Sequence, residues 1–78
     1  MLLSQMTTGQ KGLITKLSGS GPVRQRLLEM GLTPGTEVEV IRFAPLGDPM
    51  EIEVRRYRLS IRKHDAGFIE VEMDKANE

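Results

Sequence analysis

The sequence predicts a mainly β protein: a small antiparallel β-barrel with one short α-helix between its first and second strands. Three observations carry this. Several short runs alternate apolar and charged residues, the pattern of strands with one buried and one wet face. Only one segment repeats apolar residues at helical spacing, and it is too short to be stable alone in water. The chain of 78 residues makes one domain, near the lower size at which a single core suffices.

The first strand is expected over Gly12-Leu13-Ile14-Thr15-Lys16-Leu17, where imperfect alternation leaves the faces of Leu13 and Ile14 open. Ser18 to Gly21 gives a flexible turn. Pro22 then suits the first helical position, since its φ is pre-set and its missing N–H has no partner to lose. Val23, Leu27 and Met30 recur at i, i+4 and i+7, one helical face. Gly31 is placed as the left-handed residue after the helix, with Leu32 folding back on Leu27 in a Schellman ending.

Thr33-Pro34-Gly35-Thr36 has the chemistry of a type II turn. In Glu37 to Phe43 the alternation changes phase, with Val38 and Val40 on one face and Ile41 and Phe43 on the other. A one-residue bulge would bring all four inside and bend the strand. Ala44-Pro45-Leu46-Gly47 suits a type I turn, and Asp48 is held extended before Pro49, which is acceptable at a strand's start. Met50 to Arg55 and Tyr57 to Arg62 alternate out of phase with each other, which puts a turn at Arg55-Arg56. Lys63 to Gly67 turns the chain again, and Ile69, Val71 and Met73 form the inner face of a last strand. The expected core includes Leu17, Leu27, Val38, Val40, Ile52, Val54, Leu59, Ile61, Ile69 and Val71. The domain is expected over 1–73, with a polar tail at 74–78.

Eleven basic and eleven acidic residues balance, so no net charge draws the chain to nucleic acid or anionic lipid. With no cysteine, disulfides, thiolate metal sites and thiol catalysis are excluded, and a cytoplasmic location is expected. The start, MLLSQM, has neither the basic nor the long apolar region of a signal peptide. No run approaches the roughly 20 apolar residues of a membrane helix.

Catalytic chemistry is hard to assemble. No nucleophile elbow or phosphate loop occurs. Glu37 with Glu39, Glu51 with Glu53, and Glu70 with Glu72 share strand faces, but these faces alternate with the core and read as solvated outer surface. No enzyme and no cofactor are expected. His64 and Asp65 are competent ligand types, yet one histidine without cysteine falls short of a metal site, so they are candidates only for a site shared between molecules.

Binding surfaces remain. The basic strand from Arg55 to Lys63 offers a nucleic-acid alternative, against which stand the neutral charge and the scarcity of aromatics for stacking. Its ordinary reading is pairing of Arg58 and Arg62 across strands with Glu51 and Glu53. Leu28 lies off the helical stripe, Phe68 precedes an inward residue, and Leu46 sits in a loop, so all three are expected outside the core. With the Arg55-Arg56 turn, Pro45 and Asp48, they form the expected partner-binding set: Leu28, Pro45, Leu46, Asp48, Arg55, Arg56 and Phe68.

Gly9 with the first strand, RLLEMGLTPG at 26–35, APLGDP at 44–49 and Leu59-Ser60-Ile61-Arg62 closely resemble the FeoA family. Its members are small cytosolic accessory proteins of bacterial ferrous iron uptake. The resemblance runs from about Gly9 to Val71. It implies an SH3-like barrel and a non-enzymatic role beside FeoB, the membrane ferrous-iron transporter with a cytoplasmic GTP-binding domain. Membrane association would then be peripheral and through that partner alone, with no stable nucleic-acid complex. Arg56 stands where many relatives would have glycine, and Asp65-Ala66 replaces a more usual Glu-Ala.

Overall fold

A computed structural model describes residues 1–73, so the expected tail at 74–78 lies outside the described residues. A 3-10 turn at Leu3–Gln5 precedes β1 (Lys11–Leu17), α1 (Gly21–Glu29), β2 (Glu37–Phe43), β3 (Met50–Val54), β4 (Tyr57–Ile61), α2 (Lys63–Ala66) and β5 (Ile69–Met73). The strands form one antiparallel sheet in the order β4-β3-β2-β1-β5, curled around a single core.

The helix ends as its sequence requires. Gly31 has φ 90°, Gly31 N–H donates to the Leu28 carbonyl at 3.0 Å, and Leu32 N–H donates to that of Leu27 at 3.1 Å. This is the complete Schellman pair, and it delivers Leu32 to the core, fully buried. Of the helical stripe, Leu27 alone is fully buried, while Val23 and Met30 pack half-buried against the core. In the turn that follows, Thr36 N–H donates to Thr33 at 3.1 Å, with Gly35 at φ 92°.

In β1 the open question is resolved by register. Ile14 is buried and Leu13 faces out, 44% exposed. The bulge in β2 is present, between Val40 and Arg42. It does not bring all four apolar residues inside: Val38 and Val40 are buried, but Ile41 and Phe43 are only half-buried. A single extra residue bends the strand without turning every later side chain fully inward.

Three further expectations are corrected. Lys63–Ala66 is a helical turn, not only a loop, and Ala66 is buried beneath it. Leu28 and Phe68 do not stand outside the core but pack half-buried against it. The N-terminal Leu3 and Met6, absent from the expected core, are among its most buried members, at 0% and 1% exposure. The segment is tied down by Met1, whose ammonium donates to the Val71 carbonyl at 3.0 Å and whose carbonyl accepts the Val71 N–H at 2.7 Å.

Candidate docking surface

The loop between β2 and β3 is closed by three hydrogen bonds. Gly47 N–H donates to the Ala44 carbonyl at 2.7 Å, completing the turn around Pro45 and Leu46, and Ala44 N–H donates to Pro49 at 2.9 Å. The Asp48 carboxylate accepts the Lys63 N–H at 3.0 Å, fastening the loop to the start of α2. The Asp48–Pro49 peptide is cis. Leu46 projects from this frame 98% exposed. Beside it, Phe43, Ala44, Pro45 and Pro49 line a shallow groove of about 300 Å³, with Arg42, Glu51 and Ser60 completing its wall. Lys63 Nζ lies 5.1 Å from the Phe43 ring centre. Covering an exposed leucine with a partner gains roughly 1.5–3 kcal/mol, so such a frame around Leu46 is a usable anchor.

At the other end of β3, Arg55 and Arg56 form a two-residue turn with φ 48° and 73°. Both values are positive, which is the hairpin turn whose twist matches the strands and which normally selects asparagine and glycine. The Arg55 side chain explains its own presence. Its guanidinium donates to the Thr33 and Thr36 hydroxyls at 2.9 and 3.0 Å, and its Nε donates to the Gly31 carbonyl at 3.4 Å. Tyr57 adds a hydrogen bond from its hydroxyl to the Met30 carbonyl. The turn is therefore clamped onto the end of α1, and Arg55 has an internal role. The Arg56 side chain is exposed.

The expected partner-binding set is thus divided. Pro45, Leu46 and Asp48 share one loop. Arg55 and Arg56 are separated from it by the length of β3, about 15 Å at 3.3 Å per residue. Leu28 and Phe68 present only part of their surfaces, and the Phe68 ring meets that of His64 edge-on at 5.4 Å. Phe43 and Pro49, which line the groove beside Leu46, were missed by the sequence reading. The phase change in β2 was the available signal for Phe43.

The candidate metal ligands are drawn into local contacts. The Asp65 carboxylate accepts a bond from Arg26 at 2.9 Å, and His64 lies against Phe68. Among the described residues no three histidine, aspartate or glutamate side chains converge as a metal site. Of the basic strand, Arg58 pairs with Glu53 at 3.2 Å as expected across β3 and β4. Glu51 pairs instead with Arg42 of β2, at 3.0 Å, because the register sets Glu51 against Arg42 on one side and Ser60 on the other. The expected Arg62 pairing is not formed among the described residues. The aromatics that nucleic acid would need are engaged: Tyr57 with Met30, Phe43 with Lys63, and Phe68 with His64. The nucleic-acid alternative is not favoured.

A sequence model of the FeoA domain matches residues 1–73. The chain belongs to the FeoA family. A fusion protein of Fe(2+) transport protein A and the Fe(2+) transporter FeoB from Porphyromonas gingivalis is 40% identical over 77 residues, covering 99% of this chain. The chain spans 9% of that relative's length. A crystal structure of an iron uptake regulatory protein, FeoA, is 38% identical, covers 94% of this chain and 96% of its own, and superposes with a TM-score of 0.85. Stenotrophomonas maltophilia FeoA, described as an SH3 domain protein, is 24% identical over 92% of this chain and 89% of its own, with a TM-score of 0.79, and shares the fold. The FeoA barrel is thus SH3-like, as the family resemblance implied.

Proposed function

We propose that this FeoA domain is a non-enzymatic binding module that docks on the cytoplasmic part of a FeoB-like ferrous iron transporter and supports or regulates iron uptake. The observation that carries the reading is the 40% identical domain that forms one chain with FeoB in the Porphyromonas gingivalis relative. A domain that is covalently joined to the transporter in one protein has its natural partner there when it is separate. The expected docking region is the transporter's cytoplasmic part, which carries its GTP-binding domain, and the domain works in the cytoplasm at the membrane's inner face. No helix of the described residues is long and apolar enough to cross a membrane; in this reading the membrane is reached through the partner. Docking needs no resident cofactor.

Leu46 is the anchor this reading selects, because it is the most exposed large apolar side chain and its loop is already ordered by Asp48, Ala44 and Gly47. Little conformational entropy then remains to be lost on binding. The test is capture of the transporter's cytoplasmic region by the purified chain. Leu46→Asp should weaken capture at least about tenfold, by burying a charge against the partner's apolar surface. Capture at wild-type strength would remove Leu46 from the site, and absence of capture by the unaltered chain would overturn the partner.

A further inference from the structure

The two edges of the sheet are treated differently. Along β5 runs the N-terminal segment, where Met1 and Val71 exchange two hydrogen bonds and Leu2 bridges to Glu70. At the opposite edge, among the described residues, β4 is paired with β3 alone. The two-residue turn makes Val54 and Tyr57 a hydrogen-bonded pair, so the alternation of an antiparallel ladder leaves Arg58 and Ser60 in non-bonded positions. Their N–H and C=O groups point away from β3. Neither has a backbone partner elsewhere among the described residues, and both residues are exposed. An open edge of this kind is a template for another strand.

Charge selects the strand. From Arg55 to His64 the chain holds Arg55, Arg56, Arg58, Arg62 and Lys63 and no acidic residue. Glu53 neutralises Arg58, but Arg56 and Arg62 are exposed and enter no ion pair among the described residues. A second copy of the chain is disfavoured, because antiparallel β4–β4 pairing would set one basic edge against another. On the inner face, Leu59 packs only half-buried against the core, leaving apolar surface at the edge for an incoming side chain. The outer face is basic and the inner face apolar, so the complementary segment alternates acidic and apolar residues.

We infer that the β4 edge receives an extended segment of a partner protein, acidic and apolar at alternate positions, as a sixth strand. Backbone hydrogen bonds at Arg58 and Ser60 supply affinity and the alternation supplies register. The inference rests on the docking reading only for the partner's being a protein.

The test uses the full chain, isotope-labelled, titrated with a blocked heptapeptide alternating valine and glutamate. Expected are shifts and slowed hydrogen exchange at the Arg58 and Ser60 amides, with binding weakened by salt. Methylating the peptide nitrogens that face β4 should abolish binding, while methylating the alternate set should spare it. Ser60→Pro should weaken binding roughly tenfold or more; its N–H makes no bond to β3, so an edge proline leaves the ladder intact. Equal binding of a valine–lysine peptide, unchanged Arg58 and Ser60 amides at saturating peptide, or self-association through β4 would each overturn the inference. Peptide binding retained by Leu46→Asp while transporter capture is lost would support the edge as a separate contact. Failure of the peptide with intact transporter capture would reject the edge and leave the docking reading standing.

Discussion

The Arg55-Arg56 turn makes a prediction in which two neighbouring arginines respond with opposite signs. Both have positive φ, and for a residue with a Cβ the left-handed region costs about 1–2 kcal/mol. At Arg56 nothing among the described hydrogen bonds or ion pairs offsets this. Arg56→Gly removes the strain, against roughly 0.5–1 kcal/mol for the greater freedom of glycine in the unfolded chain. The net expectation is stabilisation by about 0.5–1 kcal/mol, equivalent to about 2–8 °C in Tm for a domain of this size. At Arg55 the guanidinium makes three hydrogen bonds to the end of α1 and the turn beyond it. Arg55→Asn keeps a residue that tolerates the left-handed region but removes the clamp. Partly exposed bonds lie at the low end of their range, and the Thr33 and Thr36 hydroxyls still reach each other at 2.9 Å, so the loss is about 1–2 kcal/mol. Urea unfolding followed by circular dichroism measures both, with unchanged m-values showing that the folded state is retained. Destabilisation by Arg56→Gly, or no loss with Arg55→Asn, would refute the division of the turn into one strained and one clamping residue.

Two further perturbations probe the packing of the N-terminal segment and of β1 against β5. Leu3→Ala should cost about 2–5 kcal/mol in the same unfolding measurement, since Leu3 is fully buried; a loss below about 1 kcal/mol would show that the N-terminal segment is not part of the core. Gly12→Ala places a Cβ against Val71 Cγ1 and 2.9 Å from the Glu72 carbonyl oxygen, forcing β1 and β5 apart, and should cost about 1–3 kcal/mol. Amide exchange localised to β5 would accompany that loss, and an unchanged midpoint would contradict the close approach of the two strands.

The most legible parts of the chain were those governed by local chemistry. Pro22 and Gly31 bracket the helix because each acts through its own backbone, and the type II turn at Thr33–Thr36 follows from Pro34 and Gly35 for the same reason. Alternation located β3, β4 and β5, because a sheet with one buried face imposes period 2 on its sequence. Less legible was anything that depends on where a distant segment lies. Leu28 and Phe68 were placed outside because pattern assigns a side chain to one face only, whereas a half-turn of packing can partly cover it. Leu3 and Met6 gave no periodic signal at all; they enter the core because Met1 and Leu2 pair with β5 across nearly the whole chain.

The candidate surface divides along the same line. Sequence by itself determined that Leu46 sits in a proline-and-glycine turn, since turn geometry is a local property, while its projection from that turn at 98% exposure was decided by the tertiary structure. It also determined that Arg55 and Arg56 form a turn. Only the tertiary structure decided that Arg55 is clamped to α1 while Arg56 is not, because the carbonyl and hydroxyls that receive its guanidinium lie on a separate segment. It alone decided that β5 is covered by the N-terminal segment and that β4, among the described residues, is open. Every strand has the same hydrogen-bonding capacity in its sequence, and which edge remains unpaired among the described residues is fixed by the place each strand takes in the sheet.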